Sequence, residues 1–316
     1  MKRYVVTGGA GFIGSHIAER LLREGNEVCI LDDLSTGRAE NLETLRALKL
    51  PGRLDWMQGD IRSKDDCLRA CKGATVVFHQ AALASVQRSI EAPAETTDVN
   101  VVGTVTLFAA AKEQGVRRVV SASSSSVYGN SPTLPKHEAM PTLPLSPYAA
   151  SKLALEQFAR VWSESLGLET ICLRYFNVFG PRQDPHSQYS AVIPLFISAL
   201  VRGESPVIYG TGEQSRDFTY IDNVVAANLL AAGCPNPGGA AVNIACEDRI
   251  SLLQLLEAIG SILGVKPRPE FQPPRVGDVL HSQASIGEAK RILGFSPAVD
   301  FEDGLRKTVE FFRRAS

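Results

Sequence analysis

The sequence has no run of lysine or arginine and no apolar stretch long enough to span a bilayer. Its formal net charge is -1, and 21% of its residues are charged. This balance gives no support for binding to nucleic acid or to a membrane surface, so we expect neither partner. Because the chain enters a predicted strand at its first residues, we also expect no signal peptide and a cytoplasmic protein.

Cysteine and histidine are few and scattered. Most of the six cysteines lie in apolar runs, and only Cys67 and Cys71 are close together, at helical spacing. The five histidines show no metal-ligand spacing. We therefore expect free thiols in a reducing compartment, without a disulfide framework and without a metal site.

What the 316 residues do show is a regular alternation of predicted elements in the first half. Strands are predicted over 3–7, 27–31, 54–58, 75–79, 117–122 and 169–174, and helices near 12–24, 38–48, 64–71, 96–114 and 147–166. This alternation is typical of an α/β fold with a doubly wound, parallel Rossmann sheet. Proline and glycine become denser after about residue 178, which predicts a smaller mixed α/β lobe. Its predicted helices are Ser251 to Leu263, capped by Ser251, Ile286 to Leu293, and Phe301 to Arg313.

A glycine pattern between the first strand and the first helix predicts a dinucleotide site. Gly9, Gly11 and Gly14 have the spacing GxGxxG, which lets the backbone approach a pyrophosphate and lets the helix pack on the strand. The helix N-terminus then faces the phosphates with its N–H groups and the positive end of its dipole.

Acidic residues at the ends of the next two strands specify this site further. Asp32 lies 18 residues after Gly14, where a carboxylate can accept hydrogen bonds from ribose hydroxyls. Asp32 and Asp33 together would repel a 2′-phosphate, so NAD is favoured over NADP. Asp60 follows the third strand, where it either reaches the adenine or is a simple turn residue.

A second motif predicts acid–base chemistry. Tyr148 and Lys152 are four residues apart at the start of a predicted helix and therefore project from one face. A nearby ammonium lowers the pKa of a tyrosine, which can then take and return a hydroxyl proton. Ser123 to Ser126 follow a predicted strand, at the edge where ligands bind in a parallel sheet.

With these residues in this order, the chain resembles the extended short-chain dehydrogenase/reductase family, and within it the nucleotide-sugar epimerases of the UDP-galactose 4-epimerase type. The resemblance covers essentially the whole chain. Its further markers are Asp32 to Gly37, Gly59 to Arg62, His79 to Ala82, Asn100 with Gly103 and Thr104, Leu173 to Gly180, and Ser215 to Asn223.

The resemblance implies an NAD-binding domain over 1–177, with a return segment near 212–246, and a UDP-sugar domain mainly over 178–316. It implies Tyr148 as the base, Lys152 as the residue that holds the nicotinamide ribose and tunes Tyr148, and Ser124 as the partner of the sugar 4-hydroxyl. The implied NAD contacts are Gly8, Gly11, Phe12, Ile13, Gly14, Asp32, Asp60, Ile61, Gln80, Ala81, Ala82, Asn100, Ser123, Tyr148, Lys152 and Tyr175. The implied substrate contacts are Ala84, Ser85, Ser124, Ser125, Tyr148, Asn177, Ala191, Val192, Tyr209, Arg216, Arg275, Asp278 and Ser282.

The implied reaction is 4-epimerisation of a UDP-hexose through a 4-keto intermediate, with NAD tightly bound and regenerated in each turnover. A homodimer formed by the helices near 96–114 and 147–166 is also implied. Family dehydratases and decarboxylases carry an acidic residue near the active serine, where this chain has Ser125 and Ser126. Asn177 stands where glucuronate epimerases usually have threonine.

The resemblance also bears on the sugar. In this family, the residue seven positions after the diphosphate-binding arginine limits the space around C2, and a tyrosine there excludes an N-acetyl group. Counting from Arg275 gives Ser282, which is small, as are Ala84 and Ala191 at two other wall positions. This favours UDP-GlcNAc and UDP-GalNAc, although Ala84 departs from the glycine expected of strict hexosamine enzymes.

Three alternatives stay open at this point. The enzyme is restricted to UDP-glucose and UDP-galactose; it is a uronate epimerase or decarboxylase in which Arg182 or Arg88 meets a carboxylate; or it is an NAD sensor without catalysis. Intact Ser124, Tyr148 and Lys152 argue against the sensor.

Overall fold

The computed structural model describes residues 1–184, 191–274 and 280–315. The first half alternates strands and helices. In chain order its elements are β1 (Arg3–Thr7), α1 (Phe12–Arg23), β2 (Glu27–Asp32), α2 (Ala39–Ala47), β3 (Arg53–Gln58), α3 (Lys64–Cys71), β4 (Val76–His79), α4 (Val86–Glu91), α5 (Pro93–Thr97), a π-helical turn (Asp98–Val102), α6 (Gly103–Glu113), β5 (Arg118–Ser124), a 3-10 turn (Ser125–Tyr128), α7 (Pro147–Ser165) and β6 (Glu169–Tyr175).

The second half has shorter strands between its helices. Its elements are β7 (Val178–Phe179), α8 (Val192–Val201), β8 (Val207–Tyr209), β9 (Ser215–Arg216), β10 (Thr219–Tyr220), α9 (Ile221–Gly233), β11 (Ala241–Ile244), β12 (Ile250–Ser251), α10 (Leu252–Leu263), β13 (Glu270–Gln272), α11 (Gly287–Leu293) and α12 (Phe301–Ala315). None of the helices in the described ranges has the length and apolar character needed to cross a membrane.

Seven strands form one parallel sheet in the order β11-β6-β5-β4-β1-β2-β3. The predicted α/β fold class is therefore confirmed. The strand order reverses between β1 and β4, and ligands of such sheets bind at this point, beyond the carboxyl ends of the strands. The seventh strand, β11, comes from the segment near 212–246.

The side chains of successive residues on each strand enter two separate cores. Val6 and Ile30 join the core on the face covered by α1, α2 and α9, whereas Val5 and Leu31 join the core on the face covered by α3, α6 and α7. Because both faces are covered, the strands are apolar along most of their length.

The single helix predicted over 96–114 is interrupted in the structure. α5 ends at Thr97, and a π-helical turn separates it from α6. The interruption contains Asn100, whose buried amide accepts from the backbone N–H of Leu83 (2.8 Å) and donates to Ser151 Oγ (3.0 Å). A buried amide needs such partners, and the irregular turn brings Asn100 to them.

The second half adds a smaller lobe. α8, α10 and α12 pack against one another, and the short strands pair as β7 with β10, β9 with β12 and β8 with β13. The predicted cap of α10 is confirmed, because Ser251 and Gln254 bond reciprocally to each other's backbone N–H groups.

Candidate active site

A cavity of about 280 Å³ opens at the carboxyl ends of the central strands. It is lined by the turn after β1, the loop after β2, the end of β4 and the start of α7. The predicted cofactor contacts in its wall are Gly8, Gly11, Phe12, Ile13, Gly14, Asp32, Ile61, Gln80, Ala81, Ala82, Ser123, Tyr148, Lys152 and Tyr175.

The glycines between β1 and the first turn of α1 are packed too closely for a side chain at Gly8, Gly9 or Gly14. Gly8 has φ +68°, and a Cβ there would lie 2.6 Å from Ala81 N. A Cβ on Gly14 would lie 2.2 Å from Gly8 O. Gly11 is the N-cap of α1 and has no side chain to occupy the helix end, so the backbone N–H groups there face the cavity as an anion cradle.

Asp32 lies beside the glycine turn, and its carboxylate keeps acceptor capacity for further hydrogen bonds. Its Oδ2 accepts from Ala10 N and its Oδ1 accepts from Leu34 N, each at 2.9 Å. Burial raises the pKa of this carboxyl, and the two backbone donors oppose that shift. Each carboxylate oxygen accepts two hydrogen bonds, so a ribose diol still finds acceptors here.

Two predicted cofactor contacts lie outside this lining. The Asp60 carboxylate is bound by Arg62, whose Nη2 lies 2.6 Å from its Oδ2, and the pKa of Asp60 is lowered mainly by that bond. Asn100 is buried behind the wall with Leu83 and Ser151, as described above. Both residues have structural partners that the sequence pattern does not reveal.

Tyr148, Lys152 and Ser124 meet where α7 packs on the end of β5. Ser146 caps α7 by accepting from Ala149 N (3.1 Å), which fixes Tyr148 in the first turn. The Tyr148 hydroxyl is hydrogen-bonded to the Ser124 side chain. Lys152 lies one turn further along and is buried, with Nζ 5.9 Å from the centre of the Tyr148 ring.

The electrostatics differ from the sequence expectation. In the protein alone, burial raises the pKa of Tyr148, and the hydrogen bond with Ser124 lowers it only in part. Burial also lowers the pKa of Lys152 to about 8, and its ammonium donates to Ala122 O (2.8 Å) rather than to the phenol. Tyr148 therefore needs a further positive charge in the cavity to become a base near neutral pH.

A second cavity of about 260 Å³ lies in the smaller lobe. Its wall is mostly apolar, with a few polar groups. The predicted substrate contacts that line it are Asn177, Ala191, Val192, Tyr209 and Arg216. Apolar walls with few polar groups are typical of sites that hold a small organic ligand in one orientation.

The remaining predicted substrate contacts are placed as follows. Ala84 lines the first cavity, Ser85 caps α4 by accepting from Arg88 N, and Ser125 begins the 3-10 turn. Ser282 Oγ accepts from Asn177 Nδ2 at 3.0 Å. Arg275 and Asp278 lie outside the described residues.

Several wall residues were not predicted as contacts. Asp33, Ser35, Thr36 and Gly37 line the first cavity. A Cβ on Gly37 would lie 2.6 Å from Asp32 Oδ1, so the glycine that follows the acidic pair is a usable signal in sequence. The buried pair of Glu156 and Arg174 was also missed, because its two residues lie on different elements.

Comparisons with known proteins agree with this geometry. Residues 4–245 match the model of the NAD dependent epimerase/dehydratase family. A UDP-glucose 4-epimerase of Mycolicibacterium smegmatis is 42% identical over 316 residues, covering 99% of each chain.

Two solved structures are similar along nearly the whole chain. A UDP-N-acetylglucosamine 4-epimerase from Methanobrevibacter ruminantium M1, in complex with UDP-N-acetylmuramic acid, has a TM-score of 0.92 and 42% identity, covering 100% of this chain and 99% of its own. A UDP-glucose 4-epimerase of Thermus thermophilus, in complex with NAD, has a TM-score of 0.88 and 37% identity, covering 99% of this chain and 100% of its own.

The close packing of the glycine turn gives a testable prediction. Gly14→Ala should weaken NAD binding at least ~10-fold, because the new methyl group displaces the backbone that cradles the pyrophosphate. The measurement is calorimetric titration of NAD into protein stripped of cofactor. Gly233→Ala is the matched control, since a Cβ at that position of α9 meets no atom within 4 Å. Unchanged affinity in Gly14→Ala would contradict the assignment of this turn.

Proposed function

Because the chain belongs to the NAD dependent epimerase/dehydratase family, we propose that it catalyses 4-epimerisation of UDP-hexoses with tightly bound NAD. We propose that its substrates include the acetylated pair UDP-GlcNAc and UDP-GalNAc as well as UDP-glucose and UDP-galactose. The observation that carries the proposal is that Tyr148 and Lys152, which line the first cavity, meet Ser124 at the end of β5.

Two features of the first cavity are suited to binding NAD. Gly8, Gly9 and Gly14 leave no room for a Cβ, as a backbone that must approach a pyrophosphate requires. Asp32 keeps acceptor capacity for a ribose diol. When bound, NAD supplies reversible hydride transfer at the sugar C4 and a positive charge near Tyr148.

The side chains divide the proton chemistry between them. Ser124 hydrogen-bonds the C4 hydroxyl, and Tyr148 removes its proton as the carbon is oxidised. Lys152 remains an ammonium that favours the phenolate. Tyr148 then returns the proton to the oxygen of the 4-keto sugar, after the sugar has turned over in the pocket.

The sugar turns while the nucleotide stays fixed. Asn177 and Arg216, both in the wall of the second cavity, are proposed to hold the UDP, with Val192 and Tyr209 near the uracil. Holding the substrate only by its UDP leaves either face of C4 free to meet the cofactor. Arg275 and Asp278 complete the proposed substrate contacts.

The surroundings of Ser124 favour epimerisation over elimination. The neighbouring Ser126 donates from its hydroxyl to Ser124 Oγ at 2.9 Å. Elimination of water needs an acid in this region, and Ser125 and Ser126 offer only hydroxyl groups.

The two arginines that could bind the carboxylate of a uronate are already ion-paired within the protein. Arg182 is ion-paired with Glu19 (2.8 Å) in a groove beside α1, and Arg88 is ion-paired with Glu95 (3.0 Å). Neither arginine lines the first or the second cavity. Both have carboxylate partners of their own, which a uronate would have to displace.

Three small side chains support the proposal that the substrate site has room for an N-acetyl group. Ser282 accepts a hydrogen bond from Asn177, a residue of the second cavity, and Ala84 and Ala191 line the first and second cavities. The acetamide at C2 is only a few heavy atoms larger than a hydroxyl. Three small side chains would leave that space, whereas a tyrosine at 282 would fill it.

The role of Tyr148 is tested by removing one oxygen atom. Tyr148→Phe should retain NAD and lose at least ~100-fold in turnover, because the acid–base group is gone while the packing remains. Turnover and cofactor content are measured on the same preparation. Tyr4→Phe, near the amino end of β1 and away from the carboxyl ends of the strands, is the matched control. Near-normal turnover in Tyr148→Phe would reject this mechanism.

The substrate range is tested with purified protein and no added NAD. UDP-GlcNAc and UDP-glucose are incubated separately, and the anomeric protons are followed by NMR. We expect the galacto-configured product from both, and we expect Ser282→Tyr to lose the acetylated substrate at least ~10-fold more than UDP-glucose, since wall changes of this kind shift selectivity by about 1–3 kcal/mol.

The outcomes separate the proposals. Conversion of UDP-glucose alone by the unchanged protein would leave a 4-epimerase and reject the role of Ser282. No conversion of either sugar by NAD-loaded protein would reject UDP-hexose epimerisation.

We also propose a homodimer. Apolar side chains are exposed on α4, the π-helical turn and α7, and α7 packs against the other two. They are Val86, Ile90, Val102, Phe158 and Val161, with exposures of 38 to 56%. A face of this kind is stabilised by burial against a second copy.

A charged side chain introduced among these exposed apolar residues should dissociate the proposed dimer. Val161→Asp should change the mass in solution from twice that of the chain to that of one chain, measured by light scattering. Leu230→Asp is the control, because Leu230 is similarly exposed but lies on α9. A monomeric unchanged protein would refute the dimer.

A further inference from the structure

Three residues of α7 bind three consecutive residues at the end of β5. Their spacing of four places them on successive turns of one helix face. The bonds join Ala122 O to Lys152 Nζ (2.8 Å), Ser123 Oγ to Glu156 Oε1 (2.5 Å), and Ser124 to the Tyr148 hydroxyl. Two of these helix residues already have proposed roles, and Glu156 has none.

Glu156 is buried and accepts three hydrogen bonds. Its side chain is 4% exposed, and that of its partner Arg174, on β6, is 7% exposed. Arg174 donates from Nε to Oε1 (2.8 Å) and from Nη2 to Oε2 (2.7 Å). With the hydroxyl of Ser123, this carboxylate accepts three hydrogen bonds, and the two from Arg174 are charge-assisted.

The charge of Lys152 depends on the groups packed around it. They come from its own helix, from β4 and from β6: Tyr148, Glu156, His79 and Cys172, with Arg174 bound to Glu156. Burial lowers the pKa of His79 to about 3 and raises the pKa of Cys172 well above its usual range, so both are neutral near pH 7. Of these groups, only Glu156 carries a negative charge at that pH.

We propose that Glu156 is a positioning residue for the reaction, whose carboxylate keeps Lys152 in its ammonium form and holds the Ser123–Ser124 end of β5 against α7. The inference rests on the proposed function for its consequence in turnover. Its effect on Lys152 belongs to the protein itself and is measured without substrate.

The direct test is titration of the Lys152 ammonium by NMR in NAD-loaded protein labelled with ¹⁵N-lysine, its signal assigned by Lys152→Met. In Glu156→Gln, we expect this ammonium to titrate about one pH unit lower than in the unchanged protein. Glu138→Gln is the matched control. Glu138 is a half-buried carboxyl that accepts from Asn243 N and lies outside this helix–strand contact. An unchanged Lys152 titration in Glu156→Gln would overturn the proposal.

The kinetic test uses the pH dependence of the rate. Glu156→Gln should lose up to about tenfold in kcat on the alkaline side and converge towards the unchanged protein at about pH 6, because Lys152 is protonated there in both. A purely structural defect would lower the rate by the same factor at every pH, and that result would also overturn the proposal.

A second variant is needed in case Glu156→Gln does not fold because Arg174 has lost its partner. Glu156→Gln combined with Arg174→Met removes both charges, and we expect Lys152 still to titrate below its position in the unchanged protein. These measurements distinguish a failure of the proposed function from a failure of the role proposed for Glu156. A shifted titration without any UDP-sugar turnover would reject the proposed function and keep the role of Glu156, whereas normal turnover with an unshifted titration would do the reverse.

Discussion

The burial of a lysine at the point where α7 meets β5 governs much of this structure. Lys152 is 3% exposed, and an isolated ammonium in such a place is strongly unfavourable. Its hydrogen bond to Ala122 O fixes it to the sheet, and the neighbouring carboxylate of Glu156 offsets its charge. Arg174 in turn needs that same carboxylate, so removing Glu156 alone would leave two cations in the interior, at a cost of about 3–5 kcal/mol for a broken buried pair.

The two cavities are built in different ways. The first is made largely from the turn after β1 and the loop after β2, so the residues proposed to bind phosphate and ribose lie close together in sequence. The second draws Asn177, Tyr209 and Leu252 from three separate segments of the smaller lobe.

The same difference explains what the sequence could predict. The six strands of the first half and the glycine turn follow from local patterns, since period, glycine spacing and strand ends are visible over a few residues. The interrupted helix around Asn100 does not, because its cause is a hydrogen bond to Leu83, 17 residues away. Asp60 shows the same limit: Arg62 binds its carboxylate, and nothing in the motif distinguishes that pair from an adenine contact.

Ser282 bears on how broad the substrate range is. Its hydroxyl accepts from the Asn177 amide, which also donates to Asp217 O at 2.9 Å, so the small side chain is held in place from the wall of the second cavity. Under the proposed function, a small residue at this position would remove a steric barrier to the larger sugar, but it would not reject the smaller one. The lost contact with UDP-glucose or UDP-galactose is worth only about 1–3 kcal/mol, which ordinary concentration differences between sugars can overcome. Strict selection for acetylated sugars would need a polar group that the acetamide alone satisfies, because an unpaired buried polar group discriminates far more strongly than a missing contact.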